Sequence, residues 1–125
     1  MSERSPRDGV DGFIADLADF NIAAFIDGPV VRYSVTPIDG SMSGSAVETA
    51  VGIVELAPWP AAPPHWIHLP AHFTFAHTNT QPQGSLLGWL CHSRNITSWT
   101  PSAHPGRQWL AHVRTVLGQI TGTAA

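Results

Sequence analysis

Pro58-Trp59-Pro60-Ala61-Ala62-Pro63-Pro64 holds four prolines in seven residues, and its reading decides how the rest of the chain is divided. Proline fixes φ and lacks an amide hydrogen, so this segment is neither helix nor central strand; it is expected to be an extended, rigid crossing. Before it, Val30-Val31-Arg32-Tyr33-Ser34-Val35 is β-branched and aromatic enough for a strand, and Val47 to Leu56 supplies the returning one. Pro37 to Ser45, with Asp39, Gly40 and Gly44, reads as the hairpin loop between them. After it, Trp66 to Leu69 and His72 to Phe75 predict two short strands.

Further out, Val10, Phe13, Ile14, Leu17 and Phe20 recur at three and four, with Asp11, Asp16 and Asp19 between them. That spacing predicts an amphipathic helix from Val10 to Phe25, broken by Asp27-Gly28-Pro29. Trp109, Leu110, Val113, Val116, Leu117 and Ile120 mark a closing helix begun near Gly106. Between the last strand and that helix, His77 to Pro105 is loop-like around Cys91. Helix, three to four strands, irregular loop and helix together predict an α+β domain built on an antiparallel meander. With 125 residues, one domain spanning 1–125 is expected, its first eight residues disordered.

Composition narrows the function classes. The formal charge is −3, with six arginines and no lysine, a poor endowment for binding phosphates, so nucleic acid is not expected as a partner. All nine acidic residues lie between Glu3 and Glu55, and all seven histidines between His65 and His112. No apolar run approaches the roughly 20 residues of a membrane span, and the polar N-terminus has no signal-peptide core; a cytoplasmic protein without a membrane partner is expected. A single Cys excludes an internal disulfide and leaves its thiol structural or reactive.

Three fragments carry a resemblance. Trp59-Pro60-x-x-Pro63-Pro64 is similar to the Tyr-Pro-x-x-Pro-Pro signature of ubiquitin-conjugating enzymes. Cys91 is followed eight positions later by Trp99 and ten later by Pro101, where that family has its catalytic Cys followed by Trp-Ser-Pro. His77-Thr78-Asn79 looks like the family's His-Pro-Asn. Over about Val30 to Gln119 the chain thus resembles the ubiquitin-conjugating (UBC) fold, and among its members the compact bacterial relatives. The resemblance implies a Cys91 nucleophile that accepts a ubiquitin-like protein tail from an adenylating enzyme as a thioester and passes it to a target protein. It implies Asn79 as the amide that polarises the thioester carbonyl, beside His77, and an N-terminal helix that docks the activating enzyme; here that helix is acidic, which calls for a basic groove on the partner.

The residues can be weighed without the family. The thiolate is the reactive form of cysteine, and flanking by His92 and Arg94 with no carboxylate after Glu55 favours it; a buried structural thiol is the plain alternative. Asn79 can donate to an oxyanion or hold its own loop. Where a base is needed, His92 or His104 is available. His65, His68, His72 and His77 invite a metal, but strand positions three apart face opposite sides and no carboxylate or second thiol is near in sequence, so neither metal nor cofactor is expected. His68 is assigned to strand packing, His77 to its loop, and Trp59, Trp66, Trp99 and Trp109 to packing aromatics, with Trp89 left to hold the incoming tail. A chain without lysine cannot modify its own side-chain amines. The competing functions are a non-catalytic UBC-like scaffold and a small cysteine hydrolase, the latter disfavoured by the want of a carboxylate to orient an imidazole.

Overall fold

The structure is a computed structural model that describes residues 8–38, 40–70, 73–75, 80–81, 89–93, 99–100 and 103–123. Its first helix, α1 (Gly9–Ala18), is shorter than the apolar periodicity predicts. The chain turns at Asp19 to Asn21, and Asn21 takes a left-handed φ of 64°, a conformation Asn tolerates better than most residues. The Ile22 amide then bonds back to the Leu17 carbonyl, closing the helix. The next element is a strand, β1 (Phe25–Asp27), paired in a hairpin with β2 (Val30–Val35) across Gly28-Pro29.

β2 has the predicted limits, and β3 (Val47–Gly52) pairs with it antiparallel over its whole length. The strand expected to run to Leu56 stops at Gly52, and Ile53–Leu56 winds into a turn of 3-10 helix. The proline-rich segment is a compact turn and not an extended crossing: Ala61 and Ala62 both bond to the Pro58 carbonyl, and Trp59-Pro60 is cis. Burial of the Trp59 ring, 1% exposed, accounts for the difference, since a straight crossing would carry so large an apolar side chain past the core.

Strands β4 (Trp66–Pro70), β5 (Phe73–Phe75), β6 (Thr80–Gln81) and β7 (Trp89–Ser93) come after the turn, then α2 (Pro105–Leu117) and β8 (Ile120–Thr123). The main sheet has six strands in the order β1-β2-β3-β4-β7-β6, every neighbouring pair antiparallel. β5 and β8 form a separate two-stranded ribbon. Ile120, placed by periodicity in the closing helix, instead opens β8 after the Gly118-Gln119 turn. The fold class is α+β, as expected, with a larger sheet than the meander anticipated.

One face of the sheet holds the core. Val31, Tyr33, Val35, Val47, Val51, Ile67 and Leu69 meet Phe13 and Leu17 of α1 and Trp109, Leu110, Val113, Val116 and Leu117 of α2. These positions alternate along the strands and recur at three and four along the helices, so each element turns one set of side chains to this core. Phe13 packs edge-on against Tyr33, Trp59 and Trp109 with ring centres 5.0–6.4 Å apart. The Trp109 indole donates to the Tyr33 hydroxyl at 2.9 Å, tying α2 to the sheet. Helix α2 begins with His104 as its cap, whose ring accepts from the Gly106 amide, and with Pro105 in the first turn, where the missing amide hydrogen is harmless.

Candidate functional site

Two of the sequence fragments meet in space. Trp99 lies with its ring centre 5.4 Å from that of Trp59 and donates its indole N–H to the Pro60 carbonyl at 2.9 Å. The Trp59 indole in turn donates to Asp16 of α1 at 2.9 Å. The segment after the sheet is thereby pinned to the proline turn and to the first helix at one point. Thr100 is held there as well, its amide and carbonyl both bonded to the Gln108 side chain of α2.

Cys91 does not lie in a loop. It is the central residue of β7, in register with His68 of β4 on one side and Gln81 of β6 on the other. Five consecutive residues, Trp89 to Ser93, pair with β4; the glycines and prolines around them suggested a loop, yet Trp89-Leu90-Cys91 is apolar enough to complete a sheet once a partner edge is present. His92 is in register with Ile67, a core residue. Adjacent strand positions alternate between faces, so His92 and Cys91 occupy positions on opposite faces.

His68 is 6% exposed and faces a carboxylate that lies thirteen residues upstream. Glu55, in the 3-10 turn after β3, places Oε2 3.8 Å from His68 Nε2. Its other oxygen accepts the backbone N–H groups of His65 and Trp66 at 3.1 and 3.0 Å. Burial pushes the Glu55 carboxyl up, but the His68 ring and the Trp66 and His65 amides outweigh it and leave the group below its ordinary value. The carboxylate that the back half of the sequence lacks is therefore present, delivered by tertiary structure. Nothing local announced it: Glu55 follows a strand and precedes four prolines. A histidine flanked by Ile67 and Leu69 in an apolar strand does call for a polar partner, and that was the available signal.

The same sheet face carries Arg32, which is in register with Ala50, as Ala50 is with His68. Its guanidinium pairs with Asp27 at 2.7 Å and with Glu48, and lies over the rings of Phe25 and Trp89, 5.9 and 5.5 Å from their centres. Trp89, assigned from sequence to the incoming tail, is thus at least partly occupied by an arginine of its own chain.

The acidic face expected to dock a partner is largely engaged internally. Asp16 is 2% exposed and accepts from Trp59, while Asp19 takes a 2.9 Å bond with His104 Nε2. A charged partner would find Asp11, which is exposed, but not Asp16. One ligand atom from each of Asp16, Asp19 and His104 lie within 4.8 Å of one another, a spacing that could suit a metal. The hydrogen bonds explain the cluster without one. His104 Nδ1 accepts from Gly106, so in the neutral ring the hydrogen is on Nε2, directed at Asp19.

Asn79, His77, His72, Arg94, Asn95 and Pro101 lie outside the described residues, as do residues 1–7, so the oxyanion assignment stays with the resemblance. No helix among the described residues is long and apolar enough to cross a membrane. No protein-family model matches the chain, and neither a curated protein nor a solved structure shows significant similarity to it.

Proposed function

We propose that this chain is a ubiquitin-conjugating-type acyl carrier that takes a ubiquitin-like tail from an adenylating enzyme as a Cys91 thioester and delivers it to an amine or hydroxyl of a target protein. The observation that carries the reading is the junction of Trp59-Pro60 with Trp99, since the two fragments that flank Cys91 in the resemblance are packed together. In the loading step the Cys91 sulfur bonds to the carbonyl carbon of the incoming thioester, and the activating enzyme's thiol leaves with the proton. In the transfer step the acceptor's amine nitrogen or hydroxyl oxygen takes that carbon, its proton is released and the Cys91 thiol is regenerated. Asn79, by the resemblance, would donate to the oxyanion in both steps.

Incubation of the chain with its adenylating enzyme, ATP and the tail protein should give an adduct that reducing thiols cleave, absent in Cys91→Ala. A specific observation favours a second reading, that of a scaffold which binds the same partners without bonding to them: Cys91 is paired on both sides within a sheet, where a protein tail has less access than in a loop. Under that reading no adduct forms, and Cys91→Ala binds the activating enzyme and tail as tightly as the unaltered chain.

A further inference from the structure

We propose that the open edge of β1 pairs with β1 of a second copy of this chain, joining two six-stranded sheets into one. β1 is the end strand of its sheet, bonded to β2 on one side only. All three of its residues are exposed, and two are large and apolar: Phe25 at 53% and Ile26 at 56%. Val54 adds to them, because the Ile53 amide bonds to the Pro29 carbonyl and so brings the 3-10 turn beside the hairpin. Three of the four exposed large hydrophobic residues among the described ones thus lie on or beside this hairpin. Single exposed apolar side chains are ordinary, whereas a group of them beside unpaired strand backbone is a template for another strand.

The backbone is open as well. Asp27 stands opposite Val30 across the two-residue Gly28-Pro29 loop, and Gly28 supplies the positive φ, 60°, that such loops favour. The residues that close such a loop exchange hydrogen bonds, and bonded pairs alternate with unbonded ones along an antiparallel ladder. Ile26, opposite Val31, is therefore at a position whose N–H and C=O point away from β2, and no described turn, loop or cap bond uses them.

A second copy is the occupant that this edge fits. About a two-fold axis through Ile26, its N–H and C=O bond to those of Ile26 in the second copy, the isologous arrangement of most dimers, and the two apolar side chains meet. Phe25 then stands opposite Asp27 of the second copy. Arg32 lies over the Phe25 ring, 5.9 Å from its centre, so each Asp27 carboxylate, already 2.7 Å from its own Arg32, also faces the guanidinium of the other chain. An unrelated extended segment would satisfy the backbone but not this charge pattern. β7, which carries Cys91, is four strands away from β1 in the sheet, and the inference does not rest on the carrier reading.

A three-residue strand pair buries less than the roughly 1,200 Å² of a small stable interface, so monomer and dimer should exchange. In sedimentation equilibrium of the full-length chain, the mean mass should rise toward twice the monomer mass between about 10 µM and 1 mM. Ile26→Lys sets two like charges across the axis at a position outside the core and should hold the chain monomeric over the same range. In a Cys91→Ala background, Ile26→Cys should give a disulfide-linked dimer on mild oxidation, since a hydrogen-bonded pair holds its Cα atoms about 5.5 Å apart, within disulfide reach. Ile38→Cys in that background, exposed elsewhere on the molecule, should remain monomeric. A mass that stays at the monomer value throughout, a dimer that Ile26→Lys leaves intact, or equal cross-linking of the two cysteine variants overturns the inference.

Discussion

Asp16 shows how one side chain can mislead a reading by pattern. Its place among Asp11 and Asp19 on an amphipathic helix reads as the solvated, partner-facing side. The structure turns it inward, 2% exposed, to accept the indole hydrogen of Trp59 at 2.9 Å. A carboxylate kept from water needs such a donor, and its removal strands the indole N–H in the core. Asp16→Ala should lower unfolding stability by about 1–3 kcal/mol, read as a lower denaturant midpoint with unchanged slope. Asp11, exposed on the same helix, offers the contrast: Asp11→Ala should leave that midpoint where it is. Glu55 and His68 repeat the lesson in reverse, because each looks ordinary in sequence and together they supply the carboxylate–imidazole pair the back half lacked.

Between elements, the two helices approach closely. At Gly106, in the first turn of α2, an added Cβ would sit 2.6 Å from the Asp16 carbonyl oxygen and 3.0 Å from its carbon, both backbone atoms that cannot swing away. Gly106→Ala should therefore push α2 off α1, and with it the Trp59–Asp16 bond, for a loss of about 1–3 kcal/mol in thermal or denaturant unfolding, even though alanine is the better helix former. A stability equal to or above that of the unaltered chain would contradict this account of the helix crossing. The sheet shows which elements a sequence announces. β2 is β-branched and bounded by Gly28-Pro29, and its limits match; β7 is surrounded by turn formers, and only its pairing with β4 and β6 makes it a strand. β1 and β8 were hidden for a related reason: Phe25 and Ile120 continue a helical apolar spacing, and each helix is ended by a local backbone event, the left-handed Asn21 and the Gly118 turn.

For the molecule as a whole, composition makes one titration unusually clean. The chain has no lysine and a single tyrosine, so above pH 10 Tyr33 is the main side chain left to ionise before arginine. It is fully buried, and burial pushes its hydroxyl from 10.0 up to about 12, with its hydrogen bonds, including that to the Trp109 indole, opposing weakly. A folded-state value above the unfolded one means that this contribution to stability is intact below pH 10 and is lost as pH rises through about 12, approaching roughly 3 kcal/mol. Alkaline unfolding should thus coincide with the appearance of tyrosinate absorbance, and Tyr33→Phe should flatten the stability profile between pH 10 and 12 while lowering it at neutral pH, because Trp109 loses its acceptor. By itself the sequence determined the α+β class, the β2–β3 hairpin, the closing helix and the core aromatics, since each is written in local periodicity and in residues whose backbone preferences act within a few positions. It also singled out Cys91, Trp59-Pro60 and Trp99. Only the tertiary structure decided that the proline segment folds into a turn under Trp59, that Cys91 belongs to a strand, and that Glu55 stands behind His68. Those three depend on contacts between residues far apart in the chain, where burial and hydrogen bonding outweigh what any one segment prefers alone.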